Sequence, residues 1–253
     1  MKKAIYTVLV GNYDKLRQPE VIVPGWDYIC FSNDLPEKTV GVWQIRRFDY
    51  HNELLVRESR FPKLNPHLVL PEYEYSLWTD ANLRLAPEIF DRAEKLIADG
   101  CLLAMVEHDS RTCVYQEARC LTRRLIDDPN IIYRQTEYLM KEGFPPDRGL
   151  FVACCMLRKH NDPSIVNFSQ IWWNFYCQYS YRDQMSATYS LWKSGLSPAI
   201  FWDRSFYGTY TRPHRKKIRH SLPHRCIRFL YSHMKLLRLR LLYARYHIAW
   251  KKW

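Results

Sequence analysis

Runs of β-branched and aromatic residues alternate with helix-like segments along most of this chain, and that alternation constrains the fold more than any other feature. AIYTVLVG and WDYICFS read as strands closed by the turn residues GNYD and NDLP, with VWQIRRF a shorter third strand. The stretch NELLVRESRFPKLNPHL reads as a helix that Pro62 and Pro66 interrupt. YEYSLWTD, CLLAMVEH, GLFVACCMLRKHN and AIFWDRSFY are further strand candidates. Between them, PEIFDRAEKLIADG has Pro87 near its start and Gly100 at its end, the usual order for a helix. TCVYQEARCLTRRLI, IIYRQTEYLMKEG, PSIVNFSQIWWNFYCQY and DQMSATYSLWKSG complete the helical set. Strand and helix in this order predict an α/β fold, a mixed and mainly parallel sheet with helices on both faces.

Charge divides the chain in two. From Arg212 to Trp253 there are 13 Lys and Arg and no acidic residue, whereas the first 211 residues carry 25 basic against 26 acidic side chains. The expected organisation is therefore a near-neutral domain over residues 1–211 and a basic amphipathic helical tail over 212–253. The opening MKKAIYTVLVGNYD reads as a first strand and not as a signal peptide, because no small-residue cleavage site follows Val10. No segment reaches the ~20 apolar residues that span a bilayer. The eight cysteines include no CxxC pair, which speaks against a zinc ribbon or thioredoxin chemistry. Most of them fall in apolar runs, as small buried hydrophobes in a reducing compartment do.

In open α/β sheets, ligands bind beyond the carboxyl ends of the strands. Three expected strands end in polar clusters there: Gly11-Asn12-Tyr13-Asp14, Ser32-Asn33-Asp34 and Thr79-Asp80-Ala81-Asn82. Neither a Walker loop nor G-x-G-x-x-G is present. A phosphorylated donor then needs another cradle, and a divalent ion on short oxygen-bearing side chains provides one. Asp80 and Asn82 suit it, since alternate residues of an extended segment point the same way. Thr-Asp-Ala-Asn is also an ordinary turn sequence, and spacing alone leaves both readings open. Asp183 similarly reads either as the N-cap of a helix bearing Met185, Tyr189 and Trp192, or as a site carboxylate. His108, Asp109 and Arg111 follow one strand, and His160 follows another at what the sequence presents as an equivalent end.

Taken in order, YTVLVGNYDKL, YICFSND, RFPKLNPHLVLPEYEYSLWTDANL, GLFVACCMLRKHN and YRDQMSATYSLWKSGL resemble a glycosyltransferase-like domain family of bacterial surface-polysaccharide clusters and plant Golgi proteins. That family is similar to the GT-A nucleotide-sugar transferases, so the resemblance implies a GT-A-like, Rossmann-like sheet over roughly residues 4 to 211. It implies nucleotide contacts from Gly11, Asn12 and Tyr13, base or ribose contact from Asp34, and phosphate contacts from Arg60 and Lys63. The usual Asp-x-Asp becomes Asp80-Ala81-Asn82, leaving Asp80 the main ligand for Mn²⁺ or Mg²⁺, with the carboxamide of Asn82 a weaker one. Asp183 and Gln184 match an Asp-Gln pair beside the transferred sugar, where a carboxylate orients the sugar, takes the acceptor proton or stabilises an oxocarbenium-like state. His214 is the matching third metal ligand, or else the start of a solvated basic run.

The tail, with Leu230, Met234, Leu237, Leu241, Ala244 and Ile248 on one ridge and Trp250 and Trp253 near its end, suits an anionic membrane surface. Its leucine content disfavours nucleic acid as the partner. The expected activity is transfer of a sugar from a nucleoside-diphosphate sugar to a glycan or lipid-linked acceptor in surface-polysaccharide synthesis. Its place would be peripheral, at the inner face of the plasma membrane. The competing expectation is a non-catalytic protein that binds membrane or nucleic acid through the tail.

Overall fold

Strands buried on both faces need near-continuous apolar sequence, and the central strands of this sheet have it. The structure is a computed structural model that describes residues 1–11, 14–211 and 222–250, with side chains of the last segment from 226 onward. The chain enters through β1 (Lys3–Val8), β2 (Trp26–Phe31), β3 (Thr39–Val40) and β4 (Trp43–Arg46). Helices α1 (Leu55–Leu64) and α2 (Pro66–Val69) lead to β5 (Tyr75–Thr79). Then follow α3 (Pro87–Ala98), β6 (Leu103–Glu107), α4 (Val114–Arg124), α5 (Pro129–Lys141) and β7 (Phe151–Arg158). The last elements are α6 (Pro163–Gln178), α7 (Gln184–Ser194), β8 (Ala199–Trp202), α8 (Phe206–Tyr210) and α9 (Leu222–Arg245).

Among the described residues the strands form one sheet in the order β3-β4-β2-β1-β5-β7-β6-β8. Pairings β2–β4, β1–β2, β1–β5 and β6–β8 are parallel, while β3–β4, β5–β7 and β6–β7 are antiparallel. The fold is the expected mixed α/β sheet flanked by helices, with β7 threaded backwards through its centre.

The period of two along each strand sorts side chains to the two faces. Ile5, Tyr28 and Leu77 pack with Ile89, Phe90 and Ala93 of α3 on one face. Ala4, Tyr6, Ile29 and Trp78 pack with Phe168 and Trp172 of α6 and Leu191 of α7 on the other. A third cluster lies among helices, where Leu239, Leu242 and Tyr243 of α9 meet Val114, Leu121, Ile132 and Tyr189. The basic tail is thus anchored to α4 and α5 through its own apolar residues.

Three expectations change. Pro62 does not end the helix, because α1 runs through it to Leu64 before α2 starts at Pro66. Ile248 leaves the outer ridge of the tail: α9 stops at Arg245, His247 takes a positive φ of 56°, and Ile248 turns back to donate its amide to the Tyr243 carbonyl. Trp250 packs edge-on against Tyr243 at 5.1 Å, under the Arg119 guanidinium at 4.8 Å, so it is only partly exposed and rests against the domain. Trp253 lies outside the described residues.

Candidate active site

Adjacent parallel strands place their carboxyl ends side by side, and β2, β1 and β5 are neighbours in that order. Residues far apart in sequence, Asp34, Gly11 and Asp80, therefore share one edge of the sheet. Gly11 has φ +70°, where a Cβ would come within 2.4 Å of Leu55 Cδ1. Its amide donates to Asp34 Oδ2 at 2.5 Å, tying the β1 end to the β2 end. Asn12, Tyr13 and His214 lie outside the described residues.

Asp80 follows the last residue of β5, and its amide donates to the Cys154 carbonyl of β7 at 2.8 Å. Its carbonyl accepts from Leu83 N at 2.9 Å, so Asp80 to Leu83 forms a tight turn directly after β5, as the residue types allow. The turn does not consume the carboxylate. Asp80 Oδ1 accepts from Trp78 Nε1 at 3.1 Å and from Lys63 Nζ at 3.3 Å, with the side chain still 32% exposed. Asn82 is buried. Leu83 bridges Thr211, which brings the end of the expected domain beside this turn.

Asp183 occupies the N-cap position of α7 yet makes no capping hydrogen bond. Its Oδ2 instead accepts from Lys63 Nζ at 2.7 Å and from Arg60 Nε at 3.2 Å. The capping alternative fails because the flanking helix α1 offers two cations, and those outcompete backbone amides for a carboxylate. Arg60 and Lys63 are three residues apart on α1 and so face the same way. Lys63 is 1% exposed and touches both carboxylates, so it is a buried bridge between Asp80 and Asp183. Arg60, at 24%, is the more open of the two. Gln184, the residue after Asp183, begins α7.

The electrostatics follow from that packing. Burial alone would raise the Asp183 carboxyl, but Lys63 and Arg60 override it and hold the group far below the usual carboxylate range. Burial would lower the Arg60 guanidinium, and the fields of Asp183 and Asp80 raise it instead. The Tyr207 phenol is pushed up by burial and then by the charges of Cys154 and Asp80, which places α8 in the same field.

Two contributors escaped the sequence reading. Trp78 stands two residues before Asp80, the alternate position that points to the same side, and its indole holds Oδ1. Arg158 is fully buried and donates to the Lys63 carbonyl at 2.8 Å and to the Tyr6 hydroxyl, fixing the end of α1 from below. Only the fold pairs these with Lys63.

The two histidines part company. His108 ends β6 on the Asp80 side, with Nδ1 2.8 Å from Asp109 Oδ1 and Nε2 2.9 Å from Arg111 Nη2. His160 lies at the opposite edge of the sheet, because β7 is antiparallel; there it meets the Leu70 carbonyl at 2.8 Å. The equivalence expected of these strand ends is lost to that reversal.

A divalent ion can be tested against the donor set. Among the described residues no group of three or more His, Cys, Asp or Glu side chains could cage one. The partly exposed Asp80 fits the other common mode, in which one or two protein oxygens hold Mg²⁺ or Mn²⁺ and phosphates complete the shell, whereas Asn82 lies buried in a turn and not on the extended segment that would align it with Asp80. The neighbouring Lys63 ammonium makes that site weak until phosphates arrive.

A family model described as TOD1/MUCI70, glycosyltransferase-like domain, matches residues 26–212, which takes in Asp34, α1, Asp80 and Asp183. A probable hexosyltransferase MUCI70 of Arabidopsis thaliana is 27% identical over 161 residues, 59% of this chain and 27% of that protein. The chain thus spans about a quarter of that relative's length. Among solved structures, the apo bifunctional glycosyltransferase WbbM superposes with a TM-score of 0.42 at 11% identity, over 92% of this chain and 44% of that one. Apo mouse xyloside xylosyltransferase 1 gives 0.36 at 11%, over 75% and 79%.

Proposed function

The chain belongs to the TOD1/MUCI70 glycosyltransferase-like domain family, and from that premise we propose that it moves a sugar from a nucleoside-diphosphate sugar to a glycan or lipid-linked acceptor. The observation that carries the reading is Lys63, whose ammonium joins Asp80 to Asp183 at the carboxyl end of the sheet. A strand-end carboxylate for the diphosphate side and a second carboxylate for the sugar side are the two anionic groups such a transfer uses.

In this reading Gly11, Asn12, Tyr13 and Asp34 receive the nucleoside, and Arg60 and Lys63 face the diphosphate. Asp80, with Asn82 and His214 as further candidates, would hold Mn²⁺ or Mg²⁺, which when bound neutralises the leaving diphosphate. The acceptor oxygen forms a bond to the anomeric carbon as the bond from that carbon to the phosphate oxygen breaks. The electron pair leaves with the nucleoside diphosphate, and the acceptor proton passes to a base.

Asp183 is a weak base while Lys63 and Arg60 both hold it. A diphosphate competes for the same two cations, and any bond they give up raises the Asp183 carboxyl towards a useful range. Before that exchange the carboxylate's part is to orient the sugar and stabilise positive charge, with Gln184 beside it. The proposed setting is surface-polysaccharide synthesis, peripheral to the inner face of the plasma membrane.

A screen of nucleotide sugars with added Mn²⁺, read as release of nucleoside diphosphate, tests the reading. Turnover in the wild type that Asp183→Asn lowers by about a hundredfold or more is expected. Release of nucleoside diphosphate from none of the common donors, with no nucleotide binding, refutes it.

A further inference from the structure

We propose that the outer face of α9 docks on an anionic phospholipid surface. The inner face of this helix is already occupied. Ser232, Leu239, Leu242 and Tyr243 are buried, the Tyr243 hydroxyl donates to the Tyr115 carbonyl at 2.6 Å, and Lys235 Nζ donates to Asn130 Oδ1 at 2.9 Å. On the opposite side Ile227, Leu230, Met234, Leu237 and Leu241 are each 59 to 66% exposed. Their spacing alternates three and four residues, so they form a single stripe along the helix. Large exposed apolar side chains scattered singly mean little, but a continuous stripe marks an interaction surface.

Charge decides what covers it. Arg238, Arg240 and Arg245 are exposed on the same helix, and no acidic residue follows Asp203 anywhere in the chain. A second copy of α9 laid against the stripe would set arginines against arginines with no carboxylate between them. An anionic bilayer answers both features at once. Its acyl boundary takes the stripe, and its headgroup phosphates take guanidinium groups whose stems lie along the helix. No described helix is long and apolar enough to cross a membrane, so the contact is one of lying on the surface.

The helix also has a direction. Arg228 reaches the Arg124 carbonyl while Tyr243 reaches that of Tyr115, so α9 runs antiparallel to α4. Its Tyr243 end therefore sits at the start of α4, just after the His108–Arg111 turn on the site edge of the sheet. Docking would bring that edge close to the lipid. This placement rests on the transferase reading for its purpose, but vesicle binding is measured without turnover and stands or falls alone.

The test is flotation of the full 253-residue chain with vesicles of phosphatidylcholine alone or with about one third phosphatidylglycerol. The chain is expected to float with the anionic vesicles and far less with the neutral ones. Replacing Leu230, Leu237 and Leu241 by Gln should cut the bound fraction about tenfold or more without moving the unfolding midpoint, since all three are exposed. Replacing Arg238, Arg240 and Arg245 by Gln should remove the preference for phosphatidylglycerol. Equal flotation of the leucine triple variant and wild type overturns the proposal. So does failure of the wild type to float, a dimer that the leucine variant disperses, or wild-type capture by an RNA oligomer in place of vesicles.

Discussion

Lys63 Nζ lies 2.7 Å from Asp183 Oδ2 across 120 positions of sequence, and the same ammonium is 3.3 Å from Asp80 Oδ1. One buried cation thus holds together the two carboxylates that the proposed chemistry needs. Removing Lys63 leaves the buried Asp183 with Arg60 alone, and removing Asp183 leaves the buried Lys63 with Asp80 alone, so either loss leaves a buried charge under-compensated.

Lys63→Met should accordingly destabilise the chain by about 3–5 kcal/mol. Asp183→Asn removes the other half of the pair, and the double variant should be less impaired than the two single losses summed. Urea unfolding of the four proteins in a cycle is expected to give a coupling of about 1–3 kcal/mol. Strict additivity would mean that the bridge contributes nothing.

Acid should reveal the same pair. The folded Asp183 carboxyl sits far below its unfolded value of about 3.9. Its contribution to stability is therefore fully present above that unfolded value, and is lost as pH falls from there towards the folded one. The stability gap between wild type and Asp183→Asn should be wide at neutral pH and shrink below about pH 4. Denaturant curves at several acid pH values measure it.

His160 provides an independent titration far from the site. Burial holds its imidazole down at about 4 against an ordinary value near 6.5, so below that ordinary value the unfolded chain binds a proton the folded chain refuses. Wild-type stability should fall between about pH 6.5 and 4, by an amount approaching about 3 kcal/mol. His160→Gln, whose amide can still donate to the Leu70 carbonyl, should lose most of that slope in the same denaturant series.

Metal and nucleotide should act together at Asp80. With Lys63 already on one oxygen, Mn²⁺ alone is expected to shift the melting temperature little, and a nucleoside diphosphate alone modestly. Both together should give the larger shift, about 2.7 kcal/mol of stabilisation at a hundredfold excess over Kd. Asp80→Ala should abolish the synergy while leaving any nucleotide-only shift. Scanning calorimetry or dye-based melting decides between these outcomes.

The strand ends were legible because polar turn residues interrupt apolar runs at Gly11, Asn33 and Asp80, and local chemistry of that kind does not depend on the fold. Asp80 and Asp183 could be singled out as carboxylates in such places. Their alternatives, a turn and an N-cap, stayed open because one sequence does not say where a side chain points. The structure leaves the turn standing around Asp80 and rejects the cap for Asp183. Lys63, expected at the donor phosphates, is buried with its ammonium on Asp80 and Asp183, a pairing that the packing of α1 against β1 and α6 creates and no local sequence signal carries.

By itself the sequence determined the α/β alternation, the neutral body with its basic tail, and the residue types available at each strand end. Those are matters of period and composition, read along the chain. Only the tertiary structure decided that β7 runs backwards, which separates His160 from His108. The same is true of α9, whose outer stripe is free because its other face is taken by α4 and α5. Likewise, Arg158 reaches back across 95 positions to the Lys63 carbonyl. Such pairings depend on which strand lies beside which. That order is set by burying both faces of the sheet at once, a constraint no single segment carries.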